Sequence, residues 1–255
     1  MHNIEEFGTW FEYWGALMHD GDDRFPSTLY GFENINHQEE QFKIEEGGAV
    51  YGFVQCGDCL IDGKPVGEGE YFCRANGANI VLNNLKDTRL FAMQRHGWKG
   101  LNCVGGPIEE RGRLRYIDSC SDTICISPPK FGDPVVNHLH FPPDIDQTMH
   151  THPSTRGGMI AKGKGQCITP DTTIELYAGL IWYLPRNKEH KFKTPYDTTM
   201  DVIPYHPDTD FGATDETHPM VNRTWVKEDG KERGKIDNTK GRHANAVLET
   251  VKLDD

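Results

Sequence analysis

No stretch of the chain comes near the roughly 18 consecutive apolar residues that cross a bilayer. The first residues, Met1-His2-Asn3-Ile4-Glu5-Glu6, have neither the basic nor the apolar run of a secretory leader. Basic residues are in short supply: 27 Lys and Arg stand against 39 Asp and Glu, a formal net charge of −12 over 255 residues. They do not gather into a stripe, so nucleic acid is not the expected partner. The seven cysteines are odd in number and scattered, and only Cys56 and Cys59 form a CxxC. That pair has no second CxxC and no place at a helix start after a strand. It reads as two thiols flanking a turn rather than as a redox pair or half a zinc site. Together these absences predict a cytoplasmic protein with reduced thiols and no membrane span.

Turn formers, in contrast, are plentiful: 27 glycines and 15 prolines suit short strands joined by turns. One amphipathic helix is expected at the start. Over residues 4–18, Phe7, Trp10, Phe11, Trp14, Leu17 and Met18 recur at helical spacing, with Glu5, Glu6 and Glu12 off that face. Residues 19–27 read as a loop. From 28 to 112 short apolar segments alternate with turn signals, with strands expected near 50–54, 70–73, 80–82 and 90–93. From 113 to 206 the rhythm returns, with strands expected at 123–127, 135–141, 147–152, 158–161, 165–169, 180–184, 190–194 and 200–205. Two all-β halves of similar size predict a duplicated fold. A tail, 207–255, follows, with a charged, glycine-rich loop at 227–242 and a short helix at 244–251. Its Asp208, Asp210, Asp215, Glu216 and His218 are a reserve of lid ligands or a solvated acidic loop.

The chemistry concentrates in Gln147-Thr148-Met149-His150-Thr151-His152-Pro153. Strand residues two apart share a face, so His150 and His152 present two imidazoles side by side. A neighbouring strand supplies a third, His190. Imidazole suits iron, zinc, copper, nickel and, less well, manganese. Three ligands from two strands leave positions open for a substrate, as in a catalytic site.

In these residues the chain resembles the cupin superfamily of jelly-roll barrels. His150, His152 and Gly163 fall on the first cupin motif, and Gly179, Pro185 and His190 on the second. The preceding Leu139-His140-Phe141-Pro142-Pro143 resembles the strand and turn that lead into the first motif. The match covers about residues 135–206. Asp144 and Asn187 stand where the motifs carry glycine, and Thr194 where the second carries asparagine. The position of the carboxylate ligand holds Arg156, whose guanidinium has only donors and stays protonated. Residues 45–105 are similar to a degenerate cupin that lacks the histidines: Gly67-Glu68-Gly69-Glu70-Tyr71-Phe72 has the turn and strand of such barrels. The resemblance implies an all-β, double-stranded β-helix (jelly-roll) bicupin with an N-terminal amphipathic helix. Its parts would be helix and loop 1–27, degenerate barrel 28–112, metal-binding barrel 113–206 and tail 207–255.

A three-histidine cupin resembles thiol dioxygenases, gentisate-type ring-cleaving dioxygenases and β-diketone-cleaving dioxygenases. The resemblance implies a divalent metal held by His150, His152 and His190, iron(II) first and zinc, manganese or nickel as alternatives. Arg156 is expected either to clamp an anionic substrate bidentately or to be a rim arginine. Tyr183 is the candidate proton donor, and His140 and His206 are candidate substrate contacts. His138, with His140, forms a second HxH that either hydrogen-bonds to the metal-binding residues, supplies a further ligand or sits in the core or on the surface, and Glu175 and Glu189 are the nearest carboxylates in sequence. Three functions follow: an iron(II) oxygenase acting on a small anionic molecule, a non-redox metal lyase, isomerase or biosynthetic enzyme, or a barrel that binds a small molecule without turnover. The expected partners are that small molecule and, in a homodimer, a second copy of the chain.

Overall fold

The computed structural model describes residues 6–82, 85–209, 225–228 and 231–235. Residues 6–128 with 132–209 form one compact unit, and 129–131 with the described residues past 209 form a second. Among the described residues all regular structure is strand, apart from one 3-10 turn at Ile117–Ser119. No helix of the described residues is long and apolar enough to cross a membrane.

In the larger unit the strands are β1 (Gly8–Trp10), β2 (Trp14–Asp20), β3 (Ser27–Asn34), β4 (Glu40–Ile44), β5 (Gly48–Cys56), β6 (Asp58–Ile61), β7 (Lys64–Gly67), β8 (Tyr71–Arg74), β9 (Ala78–Leu82), β10 (Thr88–His96) and β11 (Cys103–Gly105). Next come β12 (Leu114–Arg115), β13 (Ser121–Ile126), β14 (Val135–Phe141), β15 (Arg156–Ile168), β16 (Thr173–Tyr177), β17 (Ile181–Leu184), β18 (Lys191–Lys193) and β19 (Met200–His206). A six-stranded sheet, β11-β8-β5-β10-β3-β2, and a four-stranded sheet, β4-β9-β6-β7, enclose one core. The remaining strands run β1-β17-β15-β19-β14-β13-β12. The far half of β15 leaves this row to pair with β16 and β18, which wraps the sheet around a second core. All pairing is antiparallel, and β1 crosses from the start of the chain to pair with β17. In the smaller unit, β20 (Trp225–Glu228) and β21 (Lys231–Lys235) make a hairpin.

The central strands are apolar on both faces, and the alternation of side chains shows where each face goes. In β5, Val50 and Val54 enter the first core, whereas Ala49, Tyr51 and Phe53 enter a third core that joins the two sandwiches. In β19, Met200 and Val202 enter the second core, whereas Ile203 and Tyr205 enter the joining core. Doubly buried strands read in sequence as unbroken apolar runs. Truncating a large member of the joining core, such as the fully buried Phe91, costs about 3–5 kcal/mol.

The N-terminal helix is not formed. Residues 8–10 and 14–20 are strands, and Gly15 sits at φ +88° with Phe42 3.2 Å from where a Cβ would be. The aromatic residues whose spacing suggested one helical face go to different surfaces. Phe7 stacks on Trp182 of the second core, Trp14 lies edge-on to Phe32 and Phe42 of the first sandwich, and Phe11 stacks on Tyr177. Aromatic residues pack well on pleated sheets, and glycine weakens a helix. Of the tail, the charged loop expected at 227–242 contains β21 and the second half of β20, while the helix expected at 244–251 and Asp210, Asp215, Glu216 and His218 lie outside the described residues.

Candidate metal centre

The second sandwich positions its histidines with a corner and a tight hairpin. After β14, Pro142-Pro143 turns the chain and Asp144 adopts φ +61°. Residues 145–152 then run beside 187–194. The Thr194 amide donates to the Ile145 carbonyl, and Thr194 Oγ1 accepts from the Ile145 amide and donates to the Pro142 carbonyl. The Gln147 amide donates to the Phe192 carbonyl, and His150 and His190 exchange both amide bonds at 3.0 Å. The expected strand at 147–152 is therefore an interrupted ladder with a bridge at His150. On the other side Asn187, at φ +58°, donates its amide to the His152 carbonyl at 2.7 Å. The two positions that lost the motif glycine thus keep a left-handed backbone, occupied by the non-glycine residue types that tolerate it best.

The three imidazoles converge. One ring nitrogen from each of His150, His152 and His190 lies within 4.8 Å of the others. Ring centroids are 4.5 Å apart for His150–His190 and 5.1 Å for the two pairs involving His152. His150 Nδ1 lies 2.7 Å from the Thr148 carbonyl oxygen, and His190 Nδ1 lies 3.1 Å from that of Lys188. A carbonyl only accepts, so each Nδ1 carries the proton and each Nε2 keeps its lone pair for a ligand, the arrangement that orients metal-binding histidines. Burial holds His152 down to about 3 and His190 to about 4, with the nearby Arg156 charge and the neighbouring imidazoles adding to the effect. Both rings are neutral at pH 7, as ligation requires. The donor set fits a borderline divalent cation such as iron(II), zinc or nickel.

Arg156 opens β15 opposite Leu184 and shares the inward face with Ile160. Its Nη1 donates to the Ser154 and Thr155 carbonyls and to Ser154 Oγ. Asp208 bonds the same Ser154 hydroxyl and lies 3.8 Å from the guanidinium. The side chain is buried, and its charge reaches His152, His190 and His206. His206 shares the inward face of β19 with Met200 and Val202, and burial, then Arg156 and His152, holds it well below the ordinary imidazole range. Arg156 and His206 therefore lie in the barrel of the three histidines.

Tyr183, His140 and His138 do not. Tyr183 alternates with the inward Trp182 and Leu184, so it enters the joining core, where its hydroxyl pairs with Asp20 and Thr155. His138 and His140 lie on the same face of β14 as Val136, with Asp201 Oδ1 between them at 2.8 and 2.9 Å. Glu175 and Glu189 are exposed. Cys56 and Cys59 flank Gly57, at φ +76°, at the turn between β5 and β6, with Cys59 inside the first core.

The sequence reading missed three inward polar residues. Asp122 is the cross-strand partner of Leu139, a member of the second core, and Asn137 is two residues from Leu139 on the same face. Asn137 Nδ2 donates to Asp122 Oδ2 at 2.7 Å, and the other oxygen of each is buried without a hydrogen-bond partner among the described residues. Burial raises the Asp122 carboxyl, with Asn137 and His138 opposing the effect. Tyr116 packs against the same core, and burial together with the Asp122 charge pushes it up to about 12, opposed by Arg156. A groove of about 610 Å³ in the first sandwich, between Asp58, Pro65, Glu70 and Val81, has no histidine in its lining.

No protein-family model matches the sequence, and no curated protein does. Solved structures do match. A cupin 2 conserved barrel domain protein from Leptotrichia buccalis superposes with a TM-score of 0.52 at 13% identity, over 80% of this chain and 90% of that one. Salicylate 1,2-dioxygenase from Pseudaminobacter salicylatoxidans gives 0.53 at 8% identity, over 75% of each chain. A putative glyoxylate-induced protein from Pseudomonas aeruginosa gives 0.51 at 15% identity, over 83% and 92%. These likenesses establish the cupin fold: the chain is an all-β cupin-fold protein in which three histidines converge inside one β-sandwich.

Proposed function

We propose that this chain is a bicupin whose second barrel, within residues 113–206, is a metal-dependent enzyme, and that it is a non-haem iron(II) oxygenase acting on a small anionic molecule. The observation that carries the reading is the convergence of three imidazoles, two of which, His150 and His190, commit Nδ1 to the Thr148 and Lys188 carbonyls. A bound iron(II) supplies the redox chemistry that dioxygen requires, whereas zinc, manganese or nickel supplies Lewis acidity. Arg156 sets a positive charge beside His152 and His190, which favours an anionic substrate at a centre that gathers no carboxylate ligand among the described residues. His206 borders Arg156 and His152 as a neutral polar contact. The first sandwich acts as a wall: its sheet faces the β15, β17 and β19 sheet across the joining core. The likeness to salicylate 1,2-dioxygenase supports this reading through the fold alone.

Asp122 favours a second reading. A buried carboxyl with a raised pKa, facing the same interior, is suited to proton transfer. With Tyr116 beside it, the barrel has the parts of a non-redox metal lyase or isomerase. Metal content and oxygen dependence separate the two. Iron together with oxygen uptake on carboxylate-bearing substrates supports the oxygenase, whereas zinc or manganese with oxygen-independent turnover supports the second reading. The absence of bound metal after anaerobic purification and reconstitution rejects both.

A further inference from the structure

We propose that Cys73 and Cys103 form a peroxide-reactive dithiol that closes to a disulfide across the pair β8–β11. The two residues are direct cross-strand partners, with Val104 opposite Phe72 and Gly105 opposite Tyr71 continuing the register. Directly opposed residues of an antiparallel pair have Cα atoms about 4.5 or 5.5 Å apart, within the roughly 4.4–6.8 Å that a disulfide spans. Cross-strand partners share a face. Cys73 belongs to the joining core and Cys103 packs against it. All seven cysteines are free in this structure.

The partners are unequal. Cys73 is buried, whereas Cys103 is half-buried and reachable from solvent. A hydrogen bond between the two thiols holds Cys103 down and Cys73 up, so Cys103 is the one that ionises. Cys125, which also lies near Tyr71, is pushed up to about 12 by burial, and Cys59 and Cys167 likewise. Attack therefore falls to Cys103. Its thiolate displaces an alcohol or water from a hydroperoxide and becomes a sulfenic acid. The Cys73 sulfur then attacks the Cys103 sulfur and water leaves. In sum, two thiols and one hydroperoxide give one disulfide, one alcohol (or water) and one water, with two electrons passing from sulfur to oxygen. The new bond staples β11, a three-residue edge strand, to the sheet just before the chain runs on into β12.

Intact mass and non-reducing peptide mapping of the full chain, treated with hydrogen peroxide after reductant is removed, test the proposal. The expected result is a loss of about 2 Da that dithiothreitol reverses, with the Cys73 and Cys103 peptides linked. Cys103→Ser abolishes the loss and Cys125→Ser leaves it intact. In Cys73→Ser, Cys103 is trapped as a sulfenic acid that a dimedone reagent labels. An unchanged mass, a link between other cysteines, or the same loss in Cys103→Ser would overturn the proposal. None of these readouts depends on metal or turnover.

Discussion

His150 and His190 are joined twice over: each donates its backbone amide to the other's carbonyl at 3.0 Å, and their rings stand 4.5 Å apart, centroid to centroid. The bridge fixes the separation of two candidate ligands in the backbone itself, before any metal binds. Preorganisation of this kind reduces the ordering that binding must otherwise impose. His190→Ala is expected to lower metal affinity at least a hundredfold while far-ultraviolet dichroism keeps its β signature. Titration with a competing chelator measures this, and unchanged affinity would contradict the assignment.

The metal-free protein is expected to weaken in acid. His152 and His190 protonate only near 3 and 4 in the fold, against 6.5 ordinarily. The unfolded chain binds protons that the folded chain refuses as pH falls from about 6.5 to about 4, so stability drops across that window and is retained above it. Each imidazole contributes at most about 1.4 kcal/mol per pH unit. Denaturant midpoints should be flat above about pH 7 and fall below about pH 6. A flat profile down to about pH 4.5 would contradict the buried, neutral state of these rings.

Arg156→Met removes a charge that opposes protonation of His152 and His190. Both imidazole pKa values should rise in nuclear magnetic resonance titrations of the metal-free protein. Binding of anionic substrate should weaken by about tenfold or more. If the pKa values stay put, the guanidinium does not act on the pocket.

At Asp122 stability and activity should part. Its carboxyl titrates higher in the fold than in the unfolded chain, so its charge destabilises the fold at neutral pH and the penalty fades as pH falls through the folded value. Asp122→Asn should therefore hold or raise the melting temperature at pH 7 while turnover falls by about 10²-fold or more. Full turnover would remove Asp122 from the chemistry.

Much of this was legible in the sequence, for reasons that also explain what was not. The expected strand at 135–141 coincides with β14, because an apolar run closed by Pro-Pro leaves little choice. The histidines were legible because HxH spacing on extended chain puts two rings on one side, whatever the register. Tyr183 was misjudged because facing depends on register: Trp182, one residue earlier, points into the barrel and Tyr183 out of it. Asp122 was invisible for the same reason, since its orientation comes from pairing with Leu139. The N-terminal strands were read as a helix because side chains bound for separate surfaces imitate the period of a single face.

The motif glycines bear on the fold as much as the histidines bear on the site. Gly163 adopts φ +73°, and a Cβ there would meet the Thr199 carbonyl oxygen at 1.9 Å. Gly163→Ala should cost about 2–4 kcal/mol in denaturant titration. Asn187→Gly should be nearly neutral, since glycine also accepts the left-handed backbone there. Equal costs for the two would show that backbone strain is not what these positions control.

Metal content of protein purified without oxygen, compared with that of His150→Ala/His190→Ala, tests the central claim most directly. The account predicts near-stoichiometric metal in the wild type, iron before others, and none in the variant. Wild type that binds no metal, or a variant that retains it in full, would contradict the three-histidine centre.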